Sequence, residues 1–124
     1  RLPPERFVPT ANQGAIAVVA RDEPRLIITL SSLDHTPTRK DVMAERAVIE
    51  ELGAGCFTPV GAYCREGHLL AEVLSTDGKR TERVEEEVSD TEAARACGRR
   101  LAEKAKDLLA EARALTGGRD AQEG

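Results

Sequence analysis

Two glycine turn signals divide residues 60–88 into three short segments, and this division constrains the fold more than any other feature of the sequence. The pairs are Glu66-Gly67 and Asp77-Gly78, and such pairs are typical of tight β-hairpin turns. The first two segments are mainly apolar and alternating, whereas residues 80–88 are polar. We therefore predict three antiparallel strands, the last of which is an edge strand protected by its charges.

Helical patterns lie on both sides of these strands. Residues 91–115 carry an apolar or small side chain at every third or fourth position, which predicts one long helix with an apolar face. Asp90 or Ser89 can cap its start, and Gly117-Gly118 is expected to end it. We predict that this face covers the sheet.

A second helix is predicted over residues 38–52. Thr38 and Asp41 resemble a capping box at its start, and Gly53 is expected to end it in a left-handed conformation. Residues 35–124 are therefore expected to form an α+β domain, a small three-stranded antiparallel sheet packed against helices.

The first 34 residues have a different pattern. Three prolines make residues 1–14 a connection, because proline disfavours helices and central strands. Residues 15–20 are continuously apolar, which predicts a strand buried on both faces, and residues 22–33 predict a short helix. Such a strand needs covering layers, so we expect residues 1–34 to be a hinge plus the returning strand and helix of an α/β domain that is mostly absent from this chain.

Composition excludes several function classes. The chain has 124 residues and a net charge of −4, with 18 basic and 22 acidic residues, so it lacks the basic surface of a nucleic-acid-binding protein. Its apolar runs are far shorter than the ~20 residues of a membrane span. The three cysteines form no CxxC pair, so we expect no metal site and a reducing, cytoplasmic setting.

Cysteine is the one candidate nucleophile. Cys56 follows Gly53-Ala54-Gly55 in a loop, whereas Cys64 and Cys97 lie on apolar stripes and are expected in the core. A cysteine is more often a small buried apolar residue than a nucleophile. Neither His35 nor His68 can be assigned as its base, and both are expected at the surface.

Three motifs resemble segments of one enzyme family, the porphobilinogen deaminases, also called hydroxymethylbilane synthases. Their order and spacing agree with that family, although Asn12 stands where the family more usually has glycine. The motifs are Leu2-Pro3-Pro4-Glu5-Arg6 followed by Gln13-Gly14-Ala15, then Ala44-Glu45-Arg46-Ala47, and finally Gly55-Cys56-Phe57-Thr58-Pro59-Val60-Gly61-Ala62-Tyr63.

The resemblance implies a specific function. In that family a loop cysteine of the C-terminal domain, here Cys56, holds a dipyrromethane cofactor through a thioether, and Gly55, Gln13 and Gly14 match cofactor- or substrate-contacting positions. The complete, usually monomeric enzyme joins four porphobilinogen molecules into hydroxymethylbilane with loss of ammonia. Its catalytic aspartate lies in N-terminal domains, which would belong to the same native chain or to a second chain of a split enzyme. No catalytic residue is therefore expected here, and the chain alone should be inactive. The alternative is a free-standing α+β binding or regulatory module without chemistry.

Overall fold

The computed structural model describes residues 1–55 and 57–123, with residues 118–123 described by their backbone alone. It confirms the predicted α+β class, a three-stranded sheet with helices. The elements in chain order are α1 (Pro24–Ser31), α2 (Thr36–Leu52), β1 (Val60–Arg65), β2 (His68–Leu74), β3 (Thr81–Glu87), α3 (Thr91–Lys104) and α4 (Lys106–Glu123).

The sheet is an antiparallel meander in the order β1-β2-β3. Ala71 in the central strand lies opposite Ala62 on one side and Val84 on the other. Glu66 and Gly67, which join β1 to β2, have φ angles of 52° and 83°, so both adopt the left-handed conformation that the sharpest hairpin turns require. The two hairpins and the edge position of β3 are therefore as predicted.

Two helices pack against each other and against one face of the sheet. Small residues allow α2 and α3 to approach closely, and Gly98 marks the closest point. A Cβ at this position would lie 3.0 Å from the Cβ of Glu51 and 3.1 Å from the Cα of Val48. The core between helices and sheet is built from aliphatic and small side chains, among them Ala44, Val48, Leu52, Leu69, Ala71, Val73, Ala94, Cys97 and Leu101.

The start of α2 differs from the predicted capping box. The helix begins at Thr36, and the Nδ1 atom of His35 accepts from the backbone N–H of Thr38 at 3.4 Å. Asp41 is instead used by the sheet, since its carboxylate accepts from the backbone N–H groups of Glu66 at 3.1 Å and Gly67 at 3.3 Å. The predicted end is confirmed, because Gly53 has a φ of 60° and donates to the carbonyl of Glu50.

The long C-terminal helix is two helices rather than one. Asp90 caps α3 as predicted, with a 2.7 Å bond from the N–H of Ala93, but Ala105 leaves helical geometry with a ψ of 16°. The fully buried Ala105 side chain packs in the core at this break. The predicted stop at Gly117-Gly118 is also wrong, since α4 continues to Glu123. A helical glycine costs only about 1 kcal/mol relative to alanine, so glycine alone does not end a helix.

The predicted strand over residues 15–20 does not form. These residues have no regular secondary structure and pair with no strand that the structure describes, and Ile16 and Val19 remain 93% and 92% exposed. An isolated strand leaves its backbone groups without partners, and Pro9 occupies part of the edge of β1 by accepting from the N–H of Ala62 at 2.9 Å. The following helix, α1, forms as predicted but shorter and without a buried residue.

Part of the N-terminal segment packs on the sheet. The guanidinium of Arg83 donates to the carbonyl of Glu5 at 2.6 Å. A Cβ at Gly61 would lie 2.5 Å from the carbonyl oxygen of Val8, so glycine is needed at that position for the two backbones to approach. Residues 1–9 therefore contact the body, which we define as residues 35–117. The domain boundary near residue 35 stays a prediction.

We predict that Gly98→Val lowers the free energy of unfolding by about 1–3 kcal/mol, because the added side chain overpacks the contact between α2 and α3. Gly117→Val is the matched control, since Gly117 is also helical and has open space where a Cβ would be. Urea unfolding followed by circular dichroism measures both variants. Equal stability of the two would contradict the packing inferred at Gly98.

Candidate functional site

A short turn joins α2 to β1 at the position of the predicted cofactor cysteine. The N–H of Thr58 donates to the carbonyl of Gly55 at 3.1 Å, and the N–H of Gly55 donates to the hydroxyl of Thr58 at 3.2 Å. Cys56 itself lies outside the described residues, so its role stays a prediction. Its neighbour Phe57 is 69% exposed. We call Gly55, Phe57 and Thr58 the Gly55 turn.

A cavity of about 490 Å³ opens beside this turn. A Cβ at Gly55 would meet no atom within 4 Å, so the space next to the backbone is open. Arg46 lines the same cavity, its side chain is exposed, and it has no ion-pair partner in the part of the chain that the structure describes. Its positive charge suits a ligand that carries carboxylates. The remaining lining residues are Thr10, Ala11, Asn12, Ile49, Glu50, Ala54, Thr58 and Val60.

Gln13 and Gly14 line a second, smaller cavity of about 180 Å³. The structure therefore does not place them in the cavity of Gly55, but Thr10 and Asn12 line both cavities. Residues 10–14, which we call the crossing segment, make two tight turns in succession. The N–H of Gln13 donates to the carbonyl of Thr10 at 3.2 Å, and that of Ala15 to the carbonyl of Asn12 at 3.0 Å.

Asn12 takes a conformation that glycine takes more easily. Its φ is 65°, in the left-handed region where asparagine is the best tolerated residue after glycine. This explains why asparagine can stand where the resemblance leads us to expect glycine. The buried Oδ1 atom of Asn12 has no hydrogen-bond partner among the described residues.

Glu45 connects the crossing segment to the body. One carboxylate oxygen accepts from the N–H of Asn12 at 2.6 Å and the other from the N–H of Cys64 at 2.8 Å. The residue is 7% exposed, and this burial raises the pKa of its carboxyl group, while the two backbone hydrogen bonds oppose the shift and Asp41 adds to it. The sequence alone did not indicate this role, although Glu45 and Arg46 both belong to the Ala44-Glu45-Arg46-Ala47 motif.

The other two cysteines are in the core, as predicted. Cys64 and Cys97 are 5% and 0% exposed. Burial, helped by the nearby Asp41 carboxylate, raises the pKa of Cys64 to about 12, and burial also raises the pKa of Cys97. Both thiols are therefore protonated at neutral pH and are poor nucleophiles.

Both histidines make surface contacts away from the Gly55 turn. His35 caps α2, and the imidazole of His68 lies 2.6 Å from a carboxylate oxygen of Glu87 and 2.8 Å from one of Glu85. These hydrogen bonds raise the pKa of His68.

Among the described residues, no group of three or more His, Cys, Asp or Glu side chains could hold a metal ion. In the same part of the chain, no helix has the length and apolar character needed to cross a membrane.

A larger depression of about 720 Å³ lies at the opposite end of α2. It is lined by the start of that helix, by the β1–β2 turn and by residues 88–91, and it shares no residue with the cavity at Gly55. Its carboxylate Asp41 is already bonded to the turn. Volume alone therefore does not locate the functional site.

Comparison with known proteins identifies the family. The model of the "Porphobilinogen deaminase, C-terminal domain" matches residues 39–107, which include the Gly55 turn. The chain belongs to the porphobilinogen deaminase family. The probable porphobilinogen deaminase of Methanosarcina acetivorans is 44% identical over 119 residues, covering 89% of this chain and 38% of the relative. The porphobilinogen deaminase of Thermobifida fusca is 41% identical over 111 residues, covering 79% and 35%. The chain thus spans well under half the length of either deaminase.

We predict that Asn12→Ala destabilises this deaminase chain by about 1–2 kcal/mol, whereas Asn12→Gly is neutral or stabilising, because the left-handed conformation is strained for alanine but not for glycine. Both variants remove the same amide group, so their difference isolates the backbone conformation. Thermal unfolding measures it. If Asn12→Ala proved as stable as Asn12→Gly, the left-handed φ at position 12 would not constrain which residue can stand there.

Proposed function

We propose that this chain is the cofactor-bearing part of a hydroxymethylbilane synthase, the enzyme that polymerises porphobilinogen with loss of ammonia. One observation supports the proposal: within the region that matches the family, Gly55 and Thr58, which stand on either side of Cys56 in the sequence, line an open cavity that Arg46 also lines. The catalytic aspartate belongs to domains outside this chain, so we assign no catalytic residue here and expect the chain alone to be inactive.

The residues present fit a dipyrromethane cofactor. Its pyrrole rings need room beside the backbone, which Gly55 leaves open, and its acetate and propionate groups need cations, of which Arg46 is one. In this proposal Cys56 holds the cofactor covalently, while Gln13 and Gly14 contact it or the substrate from the neighbouring cavity. When bound, the dipyrromethane supplies the pyrrole end to which porphobilinogen units are added.

The chemistry explains why the anchor is a cysteine. A growing chain must stay attached through every addition, and a thioether resists hydrolysis, whereas an ester to serine does not. A soft sulfur nucleophile also suits attack on an electrophilic methylene pyrrole. Cys64 and Cys97 do not compete, because both are buried with raised pKa values.

The exposed apolar residues near the N-terminus support a longer enzyme. Ile16, Val19 and Ile28 are 93%, 92% and 72% exposed, and so many strongly exposed large apolar side chains within one short segment favour a covering partner. We propose that residues 15–34 pack against the N-terminal domains of a complete, monomeric, cytoplasmic enzyme. Their covering layers would come from the part of the deaminase that this chain does not span.

The intact mass of the native protein that carries this sequence tests the proposal. We expect the wild-type protein and Cys97→Ala to carry the additional mass of two pyrrole units. Cys56→Ala should lack this additional mass, because only Cys56 forms the thioether. An adduct that survives in Cys56→Ala would contradict the assignment of the anchor. A wild-type protein without any adduct would contradict the proposed cofactor.

Alkylation distinguishes the alternative of a binding module without chemistry. In the native, cofactor-free protein we expect iodoacetamide to label one thiol, and Cys56→Ala to remove that label, because the thiols of Cys64 and Cys97 are buried. Denatured protein, in which all thiols are accessible, is the control. A Cys56 that resists alkylation in the native state would favour the module.

A further inference from the structure

Glu45 makes the one side-chain hydrogen bond, among those the structure describes, that ties the crossing segment to the body. Its two carboxylate oxygens each accept from a different piece of backbone, Asn12 at 2.6 Å and Cys64 at 2.8 Å. These residues are separated from Glu45 by 33 and 19 positions in the chain. One buried side chain therefore joins α2, β1 and the crossing segment.

We propose that Glu45 is a positioning residue that sets where Gln13 and Gly14 lie relative to the Gly55 turn. Thr10 and Asn12 line both cavities, so a shift of the crossing segment would change the shape of each. Glu45 also lines the smaller cavity with Gln13 and Gly14, but it is not an attachment point of the cofactor. Its positioning role runs through the backbone of Asn12. The effect of this positioning on enzymatic activity rests on the proposed function.

The geometry requires a carboxylate at this position. Both oxygens act as acceptors, and an amide of the same shape offers one acceptor and one donor. An apolar side chain of similar volume would leave both buried N–H groups without a partner, which is costly. The crossing segment itself carries no charged side chain. None of its residues can therefore form an ion pair with the body in place of the hydrogen bond to Glu45.

Hydrogen exchange of backbone amides tests the proposal in the protein that carries this sequence. We expect Glu45→Met, which keeps the volume, to speed exchange by about tenfold or more in residues 10–15 and 61–66, the loss expected for a hydrogen bond to a charged group. Exchange in β2 should change much less. Glu45→Gln, which keeps one acceptor, should lie between Glu45→Met and the wild type.

Glu103→Met is the matched control, because Glu103 is an exposed glutamate on α3 that makes no hydrogen bond or ion pair with the crossing segment among the described residues. It should leave exchange in residues 10–15 unchanged. Unchanged exchange in Glu45→Met, or a rise shared equally by β2, would overturn the proposal, since the first shows no anchor and the second shows only general destabilisation.

A second measurement separates this proposal from the proposed function. In the complete enzyme, Glu45→Met should keep the two-pyrrole adduct and lose about tenfold or more in kcat/KM, as expected for a site displaced without loss of its groups. Full activity despite faster exchange in residues 10–15 would overturn the positioning role. A wild-type protein without an adduct would instead contradict the proposed function and leave the exchange result standing.

Discussion

The close contact between α2 and α3 is the constraint on which the rest of the structure depends. The chain has only three aromatic residues, so its core cannot be filled by large rings and must be made compact by bringing backbones together. Gly98 permits that approach against Val48 and Glu51. This contact lies near the C-terminal end of α2, so it helps to fix the helix end from which the Gly55 turn begins.

A buried carboxylate on that same helix extends the rigid body to the N-terminal segment. An ionisable group that is 7% exposed normally costs folding free energy, and here burial is the main cause of the raised pKa of Glu45. Two backbone hydrogen bonds offset part of this cost. A buried carboxylate at this site is understandable if the backbone of Asn12 must be held by a hydrogen bond, which an apolar side chain of similar volume cannot accept.

The sequence predicted those features that depend on neighbouring residues. Hairpin glycines, the left-handed Gly53 and the Asp90 cap all follow from local backbone chemistry, and all are present. Features that depend on distant contacts were not predictable in this way. Asp41 has the spacing of a capping residue but bonds the β1–β2 turn, and no local pattern distinguishes the two uses.

The same reasoning explains the errors at Ala105 and at residues 15–20. The apolar stripe from residue 91 onward is continuous, and the chain bends at Ala105 where that side chain is fully buried in the core. The apolar run at residues 15–20 has the composition of a buried strand, but a strand needs a partner edge, and Pro9 already bonds β1. For the candidate site, Gly55, Gln13 and Gly14 could be named from the resemblance, whereas their separation into two cavities could not.

The arrangement suits the proposed function, in which a growing product stays attached at one point. A covalent anchor fixes one atom, and a site needs at least one further fixed surface to orient what is attached. Under the proposed function, the Gly55 turn would carry the anchor and the crossing segment would supply the second surface. Both are connected to α2, the turn through Gly53 and the crossing segment through Glu45. The precision of the proposed site would therefore depend on one helix, and its recognition of pyrrole carboxylates would depend on Arg46 together with the proposed N-terminal domains.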